Sequence, residues 1–274
     1  MSERISPTAY ATGYMWYRLG LSHPVFATRR GKRLDFIFNG MTRAVGFSFD
    51  NMMLARHGGI DALLTRAIEA GEITQVIEIA AGLSGRGLRF MRKYGDRLTY
   101  IETDLPQMAA LKRRLLAEAG VLSVRHRVLE LDALADAGPQ SLAGIAGSLD
   151  QTAGTAVITE GLMNYLEPDT ARGVWRRIAA CLTRFPRGLY LSDVYFSTEN
   201  HGVAARIIGK ALQAFVRGRM HIHFDSATHG AQLMRGLGFA HAWIHETRSL
   251  PETRELGNRP GGDKVRILEA RVPA

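Results

Sequence analysis

The feature that most restricts the fold is a buried strand that ends in small residues, followed by a second strand that ends in acids. Residues 76–87 read VIEIAAGLSGRG, an apolar run that breaks into alanine, glycine and serine where a helix should begin. The sequence IETDLP follows at 101–106. In doubly wound α/β sheets, a strand, a glycine-rich turn and a helix form the nucleotide-binding unit, and an acid ending the next strand binds a ribose diol. The pattern therefore predicts a nucleoside site at the carboxyl edge of a parallel sheet.

Strand-like and helix-like segments alternate from residue 59 onward, which is typical of a parallel sheet covered on both faces. The last two apolar runs, FAHAWIHE (239–246) and KVRILEARV (264–272), are joined by a Gly/Pro-rich loop that permits antiparallel pairing. We predict an α/β fold with a doubly wound, mostly parallel, Rossmann-like sheet of seven strands. The sheet ends in a C-terminal antiparallel hairpin.

Two regions are expected along the chain. Residues 1–56 carry many aromatic side chains and short helix signals, and we predict an N-terminal helical cap or lid there. Residues 57–274 form the Rossmann-like domain, with an insertion near 196–228 that shapes the acceptor site.

The composition indicates the cellular compartment of the protein and the kind of partner that it binds. The 274 residues have a net charge of +9, and Cys181 is the only cysteine, which excludes a disulfide within the chain. No apolar stretch is long enough to cross a membrane and no signal pattern opens the chain, so we expect a cytoplasmic protein with no membrane partner. The basic balance favours an anionic partner. A small acidic molecule is preferred to a nucleic acid, and the oligomeric state stays open.

The glycine turn and the following acids narrow the ligand class. Glu102 and Asp104 lie 20 and 22 positions after Gly82, the spacing expected for a ribose-binding acid. Ala80 occupies the first position of the G-x-G-x-x-G fingerprint, so no well-formed pyrophosphate cradle remains. This argues for a nucleoside without a pyrophosphate, and S-adenosylmethionine is the candidate, with S-adenosylhomocysteine as its product.

Four segments carry a family resemblance: LARHGGIDALLTRAI (54–68), VIEIAAGLSGRGLRF (76–90), YIETDLPQM (100–108) and VITEGLMNYLEPD (157–169). The chain resembles the leucine carboxyl methyltransferase family of class I S-adenosylmethionine-dependent methyltransferases, including its bacterial polyketide-type O-methyltransferases. The resemblance implies methyl transfer and a place in secondary metabolism.

The expected cofactor site gathers residues from the turn, the strand ends and the helix before the first strand: Arg56, Glu78, Gly82, Glu102, Asp104, Asp132, Ala133 and Glu160. The resemblance implies that Arg56 pairs with the methionine carboxylate and that Asp104 matches the ribose-binding acid better than Glu102. It also implies that Asp132 and Ala133 face the adenine, and the alternative for Asp132 is a helix N-cap.

The chain departs from the family turn Gly-x-Gly-x-Asp-x-Arg at two positions. It has Ala80 in place of the first glycine and Ser84 in place of the acid, while Arg86 is kept. The lost glycine predicts a tighter turn, and the lost acid removes a local polar contact.

The sequence indicates the acceptor site less clearly than the cofactor site. Candidate catalytic residues are His221, His223 and Tyr165. The alternative for the two histidines is an exposed polar loop, and the alternative for Tyr165 is core packing. Candidate substrate-binding residues are Tyr14, Trp16, Tyr195, Arg217 and Arg219. A carboxylate acceptor needs no general base because it is ionised at neutral pH, whereas a phenol would benefit from one. No ligand spacing typical of a metal site is found, and we expect no metal.

The leading hypothesis is an S-adenosylmethionine-dependent O-methyltransferase that acts on a small acidic metabolite, at a carboxylate first and at a phenolic oxygen second. One alternative is a non-catalytic cofactor-binding or regulatory protein of the same fold, based on Ala80 and Ser84. The other is an NAD(P)-dependent oxidoreductase, against which the incomplete glycine fingerprint speaks.

Overall fold

The protein is described by a computed structural model over residues 7–43, 48–197 and 220–273. The strands are β1 (Gln75–Ile79), β2 (Thr99–Asp104), β3 (His126–Glu130), β4 (Thr155–Thr159), β5 (Gly188–Val194), β6 (His241–Glu246) and β7 (Arg266–Arg271). Within the described residues they form one seven-stranded sheet in the order β3-β2-β1-β4-β5-β7-β6. The first five strands of that order pair in parallel, and β7 is antiparallel to both β5 and β6. The predicted fold class and its C-terminal hairpin are confirmed.

The winding of the sheet reverses between β1 and β4. The chain builds β2 and β3 on one side of β1 and then crosses to place β4 on the other side. Ligands of doubly wound sheets bind at such a switch point, outside the carboxyl ends of the strands. This places the end of β1, with its glycine-rich turn, at the expected binding edge.

The helices follow the capping signals of the sequence. They are α1 (Pro7–Arg18), α2 (Arg29–Arg43), α3 (Phe49–Glu69), α4 (Arg86–Tyr94), α5 (Pro106–Glu118), α6 (Leu142–Ala146), α7 (Pro168–Leu182), α8 (Ala227–Gly236) and α9 (Arg254–Gly257). Ser48 caps α3 by accepting the N–H of Asn51 at 3.2 Å, and Gly71 follows its end with φ +71°. Proline occupies the first turn of both α5 and α7, where its missing N–H has no cost.

Helices cover both faces of the sheet, which explains why its central strands are buried along their whole length. Ile77 of β1 packs with Trp175 and other residues of α7 on one face. Val76, the preceding residue, packs with Leu64 of α3 and Phe90 of α4 on the opposite face. Because successive strand residues point to opposite faces, this one strand joins the two core layers.

The N-terminal helices lie against the glycine-rich turn. A Cβ added to Gly13 of α1 would stand 2.6 Å from Leu83 Cβ, so the glycine permits this close approach. Ser22 lies directly over Gly85. The expected boundary between residues 56 and 57 falls inside α3, which the cap and the sheet domain therefore share. The division into two regions stays a prediction.

The expected insertion near 196–228 is described only at its ends. Phe196 and Phe224 form an isolated parallel bridge, and the N–H of Ser197 donates to the Phe224 carbonyl at 3.0 Å. The N–H of His221 donates to the Asn164 carbonyl at 2.7 Å, which ties the second end to the loop after β4. Among the described helices, none has the length and apolar character needed to cross a membrane.

Candidate functional site

The turn after β1 and the acid at the end of β2 meet at the switch point. The backbone N–H of Gly82 donates to Asp104 Oδ2 at 2.8 Å, and the N–H of Leu105 donates to Asp104 Oδ1 at 2.8 Å. Burial raises the pKa of Asp104, and these two backbone donors oppose that rise. A Cβ added to Gly82 would meet only Ala9 Cβ, at 3.7 Å. The Asp104 carboxylate is therefore fixed beside the turn, and it keeps lone pairs for further donors.

The turn is left-handed at two of its residues. Gly82 has φ +49°, and Ala80 has φ +54° as the one non-glycine residue with positive φ among the described residues. A residue with a Cβ adopts this conformation at a cost of roughly 1–2 kcal/mol. The position where the family pattern has glycine thus keeps the glycine conformation in this chain.

Glu102 does not share the position of Asp104. Its carboxylate is almost fully buried, lies 2.7 Å from His126 Nε2 and pairs with the buried Lys112 ammonium. A Cβ added to Gly87 would stand 2.7 Å from Glu102 Cδ, so the acid lies beneath the start of α4. Glu102, expected as a cofactor-binding acid, is used in this arrangement to support the turn from below.

Glu78 is also committed to the interior. Its Oε1 accepts from Arg86 Nη1 at 2.6 Å, and its Oε2 accepts from the Tyr100 hydroxyl at 2.7 Å. Both oxygens of this buried carboxylate are satisfied by neighbours on α4 and β2. As with Glu102, its part in the site is to hold other residues in place.

Arg86 is the centre of a buried ionic network. Its side chain has no exposed surface, and its guanidinium pairs with Asp61 Oδ1 at 2.6 Å, with Glu78 and with Glu160 Oε2 at 2.5 Å. Burial alone would favour the neutral form of Glu160, but His57, Arg86 and Arg56 hold its pKa well below the usual range. The network therefore fixes α3, α4 and the end of β4 to one another.

His57 joins this network through both ring nitrogens. Its Nε2 lies 2.5 Å from Arg89 Nη2, and its Nδ1 lies 2.8 Å from both Glu160 Oε2 and Arg86 Nη2. Trp16 of α1 covers the ring, with centroids 4.3 Å apart, so this predicted substrate-binding residue is a buried packing residue here.

Arg56 lies between the ends of β4 and β5. Its Nε donates to Glu160 Oε1 at 2.8 Å, and its Nη1 stands 3.6 Å from Asp193 Oδ2. The guanidinium also opposes the rise that burial causes in the pKa of Tyr195. Burial raises the pKa of Asp193, and Arg56 opposes this rise. The expected role of Arg56 toward a ligand carboxylate stays a prediction, since the guanidinium already pairs with two acids.

Tyr165 stands close to the same two groups. It is 36% exposed. Burial raises the pKa of Tyr165, Arg56 lowers it, and Asp193 raises it further. Together with Tyr195 it gives the β5 side of the site an aromatic border. Tyr165 was predicted as a catalytic residue and Tyr195 as a substrate-binding residue, and both roles stay predictions.

The two predicted catalytic histidines lie in the described second end of the expected insertion. His223 Nε2 lies 2.9 Å from the Met163 carbonyl, and because a carbonyl only accepts, this nitrogen carries the proton. Burial lowers the pKa of His223. His221 Nε2 lies 3.3 Å from Glu167 Oε1, at the exposed start of α7. Neither ring contacts Arg56 or Asp193, and the catalytic role of both histidines stays a prediction.

The remaining candidates are placed as follows. Asp132 is exposed and accepts the N–H of Leu134 at 2.9 Å in a turn after β3, and Ala133 packs on the core beside it. Tyr14 faces Tyr17 and Gly31, inside the cap. Arg217 and Arg219 lie outside the described residues. Over the described ranges, no group of three His, Cys, Asp or Glu side chains could hold a metal ion.

Sequence reasoning missed four members of the site: His57, Asp61, Arg89 and Asp193. A signal existed for the first two, because positions 57 and 61 are one helical turn apart and share a face of α3. Asp193 lies near the end of β5 at the functional edge, and no motif in the sequence indicated it.

The fold and site define a class of protein. The chain has a Rossmann-like sheet of the class I methyltransferase type, with a glycine-rich turn after β1 and a cluster of acids and arginines at the ends of β4 and β5.

The family model of leucine carboxyl methyltransferase matches residues 28–179, more than half of the chain. The protein belongs to the leucine carboxyl methyltransferase family.

Relatives and solved structures agree with this assignment. The chain is similar to a "Putative S-adenosyl-L-methionine-dependent methyltransferase" of Mycolicibacterium gilvum, with 34% identity over 136 residues. That match covers 49% of this chain and 43% of the relative, so the chain spans less than half the length of the curated relative.

Two solved structures share the fold at low identity. A DUF574 family protein from Streptomyces avermitilis has a TM-score of 0.68 at 14% identity, covering 96% of this chain and 97% of that one. An O-methyltransferase family protein from Burkholderia thailandensis has a TM-score of 0.56 at 16% identity, covering 97% of this chain and 70% of that one.

Proposed function

We propose that the protein is an S-adenosylmethionine-dependent O-methyltransferase acting on a small, weakly acidic metabolite. The observation that carries the proposal is the pairing of two features along one sheet edge. Asp104 is held against Gly82 at the ends of β1 and β2, and an acid-rich cluster follows at the ends of β4 and β5. The first feature suits a ribose diol and the second suits a cationic sulfonium.

The charges of the cluster support a cationic ligand. Three guanidinium groups, from Arg56, Arg86 and Arg89, meet four carboxylates. The carboxylates are Asp61, Glu78, Glu160 and Asp193. The cluster has one negative charge in excess when His57 is neutral and all four acids are ionised. The cofactor carries an ammonium, a sulfonium and a carboxylate, which sum to one positive charge, so the two complement each other.

The residues around the turn fit the rest of the cofactor. Asp104 would accept the ribose hydroxyls, and Asp132 with Ala133 would border the adenine. Arg56 uses one N–H for Glu160 and has others that can meet the methionine carboxylate. The bound cofactor supplies an activated methyl group, and the chain's own residues align the acceptor with it and exclude water.

The acceptor side favours a hydroxyl over a carboxylate. Glu160 and Asp193 are both buried acids at the ends of adjacent strands, and Arg56 is shared between them. An acceptor carboxylate would add to these two acids and to the cofactor's own carboxylate and would be repelled, whereas a neutral hydroxyl would not be. Of the two acceptor oxygens expected from the sequence, we therefore propose the phenolic type. A cytoplasmic setting and a place in secondary metabolism belong to the same proposal.

Calorimetry with S-adenosylhomocysteine tests the cofactor assignment. We expect saturable binding by the wild-type protein and a loss of about 10- to 100-fold in affinity in the Asp104→Asn variant, because hydrogen bonds to a charged group contribute about 1.5–3 kcal/mol. Asp136→Asn is the matched control, since Asp136 is an exposed acid paired with Arg177 on the surface. Binding of NADPH in place of S-adenosylhomocysteine would favour the oxidoreductase alternative. Binding without label transfer to any component of a cell extract would favour the non-catalytic one.

A further inference from the structure

Asp193 has one satisfied oxygen and one that accepts no hydrogen bond. Its Oδ1 accepts the backbone N–H of Gly161 at 2.7 Å. Its Oδ2 is buried and has no hydrogen-bond partner among residues 7–43, 48–197 and 220–273. The nearest cation, Arg56 Nη1, stands 3.6 Å away, beyond hydrogen-bond distance. The side chain itself is only 2% exposed.

A buried acceptor without a donor is costly, at about 1–3 kcal/mol and more for a charged group. The backbone bond to Gly161 fixes the direction of the carboxylate, so Oδ2 cannot turn to find a partner without breaking that bond. Its neighbours are Arg56, Tyr165 and Tyr195. Both tyrosines interact electrostatically with Asp193, and their rings can border a flat ligand.

The position of Asp193 in the sheet separates it from the cofactor groups. Asp104 and Glu160 end β2 and β4, on the two sides of β1. Asp193 is on β5, one strand further from the glycine-rich turn, and neighbouring strands are about 4.8 Å apart. A donor bound at Oδ2 can therefore belong to a second molecule beside the cofactor.

We propose that Asp193 is the general base of the reaction and that the acceptor is an aryl or enolic hydroxyl bound between Tyr165 and Tyr195. This inference rests on the proposed methyl transfer. Asp193 Oδ2 accepts the hydroxyl proton while the acceptor oxygen forms its bond to the methyl carbon. The carbon–sulfur bond breaks, and its electron pair goes to sulfur, giving a neutral thioether. Arg56 favours the ionised carboxylate against the effect of burial and stays paired with Glu160 throughout.

The first test is a binding titration that needs no turnover. 4-Nitrophenol is added to wild-type protein saturated with S-adenosylhomocysteine, and the phenolate absorbance is followed against pH. We expect the bound phenol to ionise at a pH about 1–2 units higher than in the Asp193→Asn variant, because a carboxylate beside it disfavours the phenolate. Equal ionisation in the two proteins, or no saturable binding by the wild type, overturns the proposal.

The second test is methyl transfer from S-adenosylmethionine to phenol and 4-nitrophenol. Asp193→Asn should lower kcat at saturating S-adenosylmethionine by about 10²- to 10⁴-fold and remove the decrease in rate at acid pH. Asp136→Asn should behave as wild type. Transfer to benzoate alone, no transfer to either phenol, or an Asp193→Asn variant of unchanged kcat contradicts the inference.

The outcomes separate a failure of the proposed function from a failure of the proposed role of Asp193. Absence of S-adenosylhomocysteine binding by wild-type protein defeats the proposed function itself. Normal binding with an indifferent Asp193→Asn variant defeats only the role of Asp193. If that variant does not fold, the wild-type 4-nitrophenol titration still decides, because an ionisation pH at or below that of free 4-nitrophenol is incompatible with a facing carboxylate.

Discussion

Removal of the Arg86 guanidinium should destabilise the protein severely. In Arg86→Met, the carboxylates of Asp61, Glu78 and Glu160 lose the cation that all three share. Loss of one partner from a buried ion pair costs about 3–5 kcal/mol, since it leaves uncompensated buried charge. We expect the free energy of unfolding at pH 7 to decrease by that amount, measured by guanidinium chloride denaturation followed by circular dichroism.

The difference between wild type and this variant should narrow as the pH falls. In the wild type the pKa values of Asp61 and Glu160 are depressed, so their contribution to stability is present above the unfolded pKa values and decreases as the pH falls. In Arg86→Met the same acids can be protonated at higher pH, which removes the cost of burying them as unpaired charges.

Arg66→Met is the control, because Arg66 pairs with Glu252 while both side chains are nearly half exposed. Screened surface pairs contribute about 0–1 kcal/mol. Equal losses in Arg86→Met and Arg66→Met, or a penalty that does not depend on pH, would refute the reasoning.

Two further predictions concern the turn and its cover. Ala80→Gly should relieve the left-handed strain and leave the protein more stable than Ala81→Gly by about 1–2 kcal/mol in denaturant titrations, and the reverse order would contradict the turn geometry. Gly13→Ala should cost about 1–3 kcal/mol, since its Cβ would stand 2.6 Å from Leu83 Cβ. Gly236→Ala, with open space around it, should cost nothing, and equal melting temperatures for these two variants would argue against close packing of α1 on the turn.

The order of the elements could be predicted from sequence because local signals agree with one another. Buried strands, prolines in first helical turns and Gly71 after α3 each mark a boundary without long-range information. The turn at Gly82 and the acid Asp104 could be predicted for the same reason, as a fixed spacing along a strand–turn–helix–strand unit sets their meeting.

The ionic network could not be derived from local patterns. Arg56 and Glu160 meet although they are 104 residues apart, and Arg86 and Glu160 meet across 74. The family resemblance indicated Arg56 and Glu160 separately, as cofactor ligands, and could not indicate that they pair with each other. Glu78 and Glu102 are buried because of the strand face that each occupies and the side chains that pack on that face. The spacing of residues along the sequence does not predict these two features.

A crystal structure with S-adenosylhomocysteine tests the central claim most directly. We expect the ribose hydroxyls on the Asp104 carboxylate beside Gly82, and the sulfur near Glu160 with its open side toward Asp193 Oδ2. Electron density for the nucleoside at another edge of the sheet, or a sulfur directed away from β5, would contradict the account.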